Sequence, residues 1–574
     1  GEIAWISVLV TFLLLLVVVV YFRRYSAALL IGFPLMLSVF WTMALVYLWL
    51  GHLNMLTGFG AAILTGLGSD YGIFLLTRYY QERAADRGFK EACALAFGNT
   101  GRATFGSMVT TVAAFMALLF SNFRVFVELG IVGALGLLMN YLAMMLIVPS
   151  LLTLAHNWRG HQWFQWFHGL DRLPNWRPFG GDGSWWVKLF TPKNAWLGTL
   201  IALGLVAVSA FSLPSQTKIY FEAGQMDVQE LPANRLYERV SKASYGTLKP
   251  GVLMVHSRED EARLLDYLNE QIRVHPKDEL VYHKALGLSS FLPKDQQAKR
   301  ENLARIQKKL ARARLVNKDK KAEILEGMQK TLAQSNVTPE DLPIEVTRNF
   351  NPKDGSSNYA VLVYQSLPRT SSENIERYHD GIEKARRDSG IVFDPVDSVF
   401  IQWDLIKLIE REAPRGMGLI LLFFAFFLFL TIRPAKRALT LFLNLVGSLV
   451  LLSGAMWLFD VHLNVMNIAV IPIVLGTGID CFIHYSHRFD EERNLFEIVR
   501  RDVPAIFVSS LTSIIGFGGL VFSSSIGLRS VGWVSILGLA LVTLVCVLVF
   551  PRLLLLESVS GEAAIPLKDR PVGA

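Results

Sequence analysis

Apolar residues run along this chain in stretches of about twenty, broken by short polar segments. A run of that length is what a helix needs to cross the ~30 Å hydrocarbon core of a bilayer. The pattern predicts spans near 3–22, 28–50, 55–79, 104–120 and 125–154, then one at 195–213. Five more follow at 415–432, 437–459, 465–488, 504–523 and 528–555. The stretch 214–412 has ordinary charge density, several prolines and no run long enough to span, so it reads as one water-soluble domain. The expected architecture is a polytopic α-helical membrane protein of eleven spans. Its parts are a five-span bundle over 1–155, a linker over 156–194, a single span over 195–213, the soluble domain over 214–412, a second bundle over 413–556 and a tail over 557–574.

Inside 214–412 the period changes. Val252–His256 and Tyr359–Tyr364 read as strands, and each is followed by a helical stretch, at 260–274 and 371–388, and another extended run, at 279–284 and 397–402. This is a double βαβ pattern in an α+β domain. Between its halves, 294–335 reads as a helical hairpin with Leu303, Ile306, Leu310 and Ala313 on one face.

The two bundles repeat one another. His52-Leu53-Asn54-Met55 recurs as His462-Leu463-Asn464-Val465, an offset of 410 that also maps Gly66 and Gly68 onto Gly476 and Gly478, Asp70 onto Asp480, and Arg78 onto Arg488. After a shorter loop in the second copy the offset becomes 402, mapping Thr110 onto Thr512 and Thr111 onto Ser513. Both copies run the same way, which implies a pseudo-twofold axis along the membrane normal. Glu2 maps onto Glu412, where the soluble domain rejoins the membrane. By analogy with the second half, a further span and a further soluble domain of roughly 200 residues are expected before Gly1.

Composition and charge sharpen this picture. Of 574 residues, 52% are hydrophobic and 18% charged, against roughly a quarter charged in soluble domains; soluble enzymes and disordered chains are excluded. The net charge of +8 is not a nucleic-acid signal once it is placed. Arg23, Arg24, Arg78, Arg83, Arg433, Lys436, Arg488 and Arg500 share one side, whereas the opposite short loops carry only Arg124 and Arg529. The basic side is expected to be cytoplasmic, which places 214–412 outside, in the periplasm of a two-membrane cell. The hairpin stretch 294–330 holds 12 Lys+Arg against 5 Asp+Glu, either a solvated face or a surface for anionic lipid or an acidic periplasmic partner. The linker's Trp158, Trp163, Trp166, Trp176, Trp185 and Trp186 make it an interfacial anchor or a lipid-recognition element. Cys93, Cys481 and Cys546 all fall outside the soluble domain, which must be stable without disulfides.

The residues that carry chemistry lie within the spans. Asp70 and Asp480 occupy equivalent places, and a carboxylate at that depth costs a few kcal/mol and is usually functional. An acid able to hold or release a proton there is what proton coupling requires. Tyr71 can donate a hydrogen bond beside Asp70; Cys481 takes its place in the second half. His484 and His487 follow Asp480 by four and seven residues on one helix face, as an inner relay or, for His487, as a solvated side chain. Thr110, Thr111, Thr512 and Ser513 are hydroxyl candidates for the aspartates or for their own backbone. Gly66, Gly68, Gly476 and Gly478 permit close helix approach, so that the aspartate helices can meet on the axis. No phosphate loop, metal-ligand cluster or nucleophile elbow is present, so neither ATP, a metal, another cofactor nor an enzymatic activity is expected.

The paired five-span bundles, the glycine-rich helix with Asp-Tyr and the large external domain resemble the resistance–nodulation–division (RND) superfamily, and within it the MMPL family of lipid exporters and hopanoid transporters. The resemblance implies a porter-like fold for 214–412, proton relay through Asp70, Tyr71 and Asp480, and proton-driven export of a hydrophobic or amphipathic substrate such as a lipid from a bacterial inner membrane. Cys481 departs from the family's Asp-Tyr pattern. The same five-span unit resembles sterol-sensing domains, so a lipid sensor or scaffold without flux is the alternative, with an accessory role in protein export as a third.

Overall fold

The computed structural model describes residues 2–54, 56–157, 192–216, 219–220, 236, 239–240, 250–276, 279–312, 318–333, 336–351, 358–366, 372–492 and 495–560. Contacts divide the chain into two compact units, Gly1–Gln229 with Ile406–Ala574, and Glu230–Leu405.

In the first unit, ten helices among the described residues are long and apolar enough to cross a membrane. Most are apolar on every side, as lipid-facing helices must be. Glu2–Phe22, for example, buries only the stripe Ile6, Val10, Leu14 and Val18 and exposes Val8 and Phe12. Two helices differ. The apolar windows of Thr57–Ala84 and Asn467–Asp490 are each 94% buried, so these two form the core and the others surround them. Gly60–Ala84 packs against Val503–Gly518, and Val470–Glu492 against Gly101–Met116, so each core helix leans on a helix of the other half.

The eleventh predicted span is a helix, Pro192–Ala210, but its apolar part is confined to Trp196–Ala210. At 1.5 Å per residue that part measures about 22 Å, short of the hydrocarbon thickness. It lies against Ala435–Leu458, with Ser209 against Gly454 and the Ser212 hydroxyl 2.9 Å from that of Ser453.

The second unit contains a four-stranded sheet of β1 (Gly251–Val255), β2 (Tyr282–Leu286), β3 (Tyr359–Gln365) and β4 (Phe393–Val396) in the order β2-β3-β1-β4. All three pairings are antiparallel, with Leu253 opposite Val361 and Pro395, and Ala285 opposite Val363. Because β3 lies between β1 and β2, each βαβ unit is split rather than parallel. The helices Arg258–Val274 and Ser372–Ser389 bury Leu264, Leu265, Leu268, Ile375 and Ile382, while Leu253, Val255, Val361, Val363 and Phe393 supply the buried side chains of the sheet. Ser257 caps the first of these helices by accepting from the Asp260 N–H at 3.0 Å. The helices Gln296–Arg312 and Lys318–Ala333 form a hairpin tied by Arg300 to the Leu332 carbonyl at 2.7 Å. Leu303 and Leu310 are half-buried and Ile306 is exposed; Ala313 lies outside the described residues.

Several boundaries move. The run expected to be extended at 397–402 begins a 34-residue helix, Ser398–Thr431, because Asp397 accepts from the Val399 N–H and opens a helical turn. That helix continues unbroken, so 406–412 belong to the first unit rather than to the soluble domain. At the other boundary the Tyr220 N–H bonds the Leu463 carbonyl at 2.7 Å, which ties the beginning of 214–412 to the second bundle. The extended run predicted at 279–284 is shifted to Tyr282–Leu286. Residues 158–191 of the tryptophan-rich linker and 561–574 of the tail lie outside the described residues.

Candidate functional site

Asp70 lies midway along Gly60–Ala84, 7% exposed, and Asp480 midway along Val470–Glu492, 8% exposed. Each carboxylate is held by two hydroxyls of the opposite half. Thr512 donates to Asp70 Oδ1 at 3.1 Å and Ser513 to Oδ2 at 2.9 Å. Thr110 donates to Asp480 Oδ1 at 3.0 Å and Thr111 to Oδ2 at 2.9 Å. The four hydroxyl residues are related by the repeat, so the contacts are exchanged reciprocally across the pseudo-axis.

Glycine sets that approach. A Cβ on Gly66 would lie 2.7 Å from the Gly516 Cα, and one on Gly476 would lie 2.5 Å from the Ala114 Cβ. Gly516 and Ala114 are themselves repeat counterparts. Gly66 and Gly476 therefore face the hydroxyl-bearing helices and not each other, contrary to the expectation that they let the aspartate helices meet. Those two helices touch where His484 stacks on Phe74, ring centroids 3.9 Å apart at 15°. Gly68 and Gly478 serve a different contact, leaving room for Asn140 and Val542 on the last long helix of their own halves. Asn140 there accepts from Ser38 and donates to the Leu64 carbonyl at 3.2 Å.

The hydroxyls have second acceptors. Thr110 also reaches the Ser107 carbonyl at 2.8 Å and Thr512 the Ser509 carbonyl at 2.7 Å. A threonine hydroxyl carries one hydrogen, so each can donate to the aspartate or to its own helix. Tyr71 is buried beside Asp70 with its ring edge-on to Tyr141, centroids 5.9 Å apart; among the described residues its hydroxyl makes no hydrogen bond to either carboxylate. Cys481 packs near Ser510, 3.5 Å between Sγ and Oγ. His484 is buried, and among the described residues its Nε2 has no hydrogen-bond partner. His487 is half-buried, nearer the basic end.

A second layer of contacts was not anticipated from the sequence. At the end away from the basic loops, Glu2 accepts from the Ser524 N–H at 2.8 Å, and Glu412 accepts from the Asn122 N–H at 3.1 Å and the Ser121 hydroxyl at 2.9 Å. The repeat offsets relate Glu2 to Glu412 and Asn122 to Ser524, so these clamps are also exchanged between halves. The signal was present: applying both offsets to every polar residue, rather than only to those inside spans, pairs them.

Fold and site together define a multi-pass membrane protein of two interlocked five-helix bundles with a buried, reciprocally bound aspartate pair. Residues 1–189 match the MMPL family, and the chain is similar over part of its length to proteins named as transporters. It is 23% identical to the hopanoid transporter HpnN of Rhodopseudomonas palustris over 570 residues, 87% of this chain and 61% of that protein. Over 203 residues, 35% of this chain and 20% of the relative, it is 26% identical to the siderophore exporter MmpL5 of Mycobacterium tuberculosis. The chain thus spans less than two thirds of the length of either relative. Its fold is similar to that of SecDF, a translocon-associated membrane protein of Thermus, with a TM-score of 0.56 and 14% identity over 97% of this chain and 62% of that one.

Proposed function

We propose that this chain forms part of a proton-driven exporter of a hydrophobic or amphipathic molecule, most simply a lipid, with Asp70 and Asp480 as the proton-carrying pair. The observation that supports this most is the reciprocal hydroxyl grip. An ionised carboxylate in a low-dielectric interior needs donors, and bonds to a charged group contribute roughly 1.5–3 kcal/mol each. When the carboxyl is protonated that advantage falls, and Thr110 and Thr512 can turn to the Ser107 and Ser509 carbonyls without leaving a buried donor unsatisfied. Binding and release of a proton thereby loosens and restores a contact between halves. A charge crossing the membrane potential supplies ~2.3 kcal/mol per 100 mV, comparable to one such bond. Tyr71 and His484 act in this reading as flanking relay groups.

The basic loops define the cytoplasmic side, and 214–412 faces the periplasm of a bacterial inner membrane, where the basic hairpin offers a surface for anionic lipid or an acidic accessory partner. The names of the hopanoid transporter and the siderophore exporter support a hydrophobic or amphipathic cargo. The test is reconstitution in liposomes under an imposed pH gradient. Cargo movement and proton flux, both lost in Asp70→Asn and Asp480→Asn, are expected; cargo binding without flux in the unmodified protein would instead favour a sensor or scaffold.

A further inference from the structure

The halves match at the aspartates but not at the basic end. By the repeat offsets Phe74 is the counterpart of His484, Thr100 of Asp502 and Arg78 of Arg488. His484 and Asp502 therefore have no titratable counterpart in the first half.

His484, whose Nε2 has no hydrogen-bond partner among the described residues, lines a small cavity of about 30 Å³ whose walls include Phe74, Thr77, Thr100 and Asp502. A site of that size has room for a water molecule, which needs some 10–15 Å³, with His484, Thr77, Thr100 and Asp502 among the polar residues lining it. A larger cavity of about 420 Å³ is walled by Arg78, Arg87, Arg488, Arg501 and Glu82. The two cavities share Arg78, Gln81 and Arg488. At their junction Arg488 holds Asp502 with bonds of 3.0 and 3.3 Å and donates to Gln81 Oε1 at 3.1 Å, while Gln81 Nε2 donates to the Arg501 carbonyl at 3.3 Å. Burial pushes the Asp502 carboxyl above its ordinary range even against the Arg488 guanidinium.

Resting on the proton-relay reading above, we propose that protons leave by a single route through the second half, from His484 across a water to Asp502 and out through the arginine-walled cavity, with Gln81 and Arg488 as its gate. Neutral His484 takes a proton originating at the aspartate pair as it passes one to the water, which passes one to the Asp502 carboxylate. Neutralising Asp502 removes its ion pair with Arg488, the guanidinium keeps its bond to Gln81 and turns away from Asp502, and Asp502 then releases the proton to solvent. Glu82 is already bound by Arg78 at 2.7 Å and Arg87 at 3.2 Å. Arg87 also reaches Glu91 at 3.8 Å.

The experiment uses the whole chain in liposomes loaded with a pH-sensitive dye, comparing the unmodified protein, Asp70→Asn, His484→Phe, His484→Gln and Asp502→Asn, each checked for folding by its melting curve. His484→Phe installs the first half's own residue in a site already stacked on phenylalanine. Proton flux that depends on Asp70 is expected to fall by about tenfold or more in His484→Phe and in Asp502→Asn, the scale of losing a positioned acid–base group; if His484→Phe does not fold, His484→Gln replaces it. Flux at the unmodified level in the folded histidine variant or in Asp502→Asn overturns the route while leaving the relay standing. No Asp70-dependent flux in the unmodified protein overturns the relay, and the route falls with it.

Discussion

Replacing Gly66 with alanine should separate the halves and release Asp70. The new Cβ would lie 2.7 Å from the Gly516 Cα and 3.0 Å from the Thr512 carbonyl oxygen, both backbone atoms that no rotamer change can move aside. Carbon atoms pack at ~3.5–4.0 Å, so the helices must part by about 0.8 Å or more. A shift of that size along the bond lengthens the 3.1 Å Thr512–Asp70 contact to about 3.9 Å, beyond hydrogen-bonding range. Overpacking costs about 1–3 kcal/mol, and a lost partner for a buried polar group about the same again. Gly476→Ala probes the equivalent contact differently, because its obstacle is the Ala114 side chain. Ala114→Gly should therefore restore Gly476→Ala, whereas Gly516 is already glycine and offers Gly66→Ala no such remedy. The assay is thermal unfolding in detergent together with proton flux in liposomes for the two single variants and the Gly476→Ala/Ala114→Gly double variant. Equal behaviour of Gly66→Ala and the unmodified protein, or no recovery in the double variant, would refute the argument that glycine contact sets the aspartate geometry.

Other expectations are more local. Glu412→Ala removes the clamp on Ser121 and Asn122 and should lower stability by about 1–2 kcal/mol, as should Glu2→Ala for its bond to Ser524; melting curves of each and of the pair will show whether the clamps act independently. Ser257→Ala removes a helix N-cap and should cost about 1 kcal/mol locally, read as faster hydrogen exchange over Arg258–Val274 in the intact chain. Burial also pushes the Tyr282 hydroxyl above its ordinary value. The folded state then holds that proton more tightly than the unfolded one, so its contribution is complete below the ordinary tyrosine value of about 10 and declines as pH rises above it. Hydrogen exchange at β2 should quicken above that pH, and Tyr282→Phe should blunt the change.

The spans and the repeat were legible because membrane helices declare themselves by length and apolarity, and because two polar residues at matched offsets are conspicuous in such a background. Asp70, Asp480 and the four hydroxyl residues followed from the same offsets. Which hydroxyl meets which aspartate was not legible. The sequence relates Thr110 to Thr512 but does not say that each contacts the other half's carboxylate; that exchange follows from the close approach of Gly66 to Gly516. The stacking of His484 on Phe74 was hidden for a similar reason, since it depends on two helices 410 positions apart in sequence. The helix start at Ser398 was not legible in the run 397–402, and the Asp397 bond to the Val399 N–H reveals it.

Under the proposed function, proton occupancy of the aspartate pair drives movement. It is tested most directly by proton flux through the purified chain in liposomes under an imposed pH gradient, with Asp70→Asn and Asp480→Asn in parallel. Asparagine keeps the size and an oxygen to accept from the hydroxyls, so both variants should fold as the unmodified protein does. Gradient-driven flux is expected in the unmodified protein and none above empty liposomes in either variant. Undiminished flux in both folded variants would contradict it.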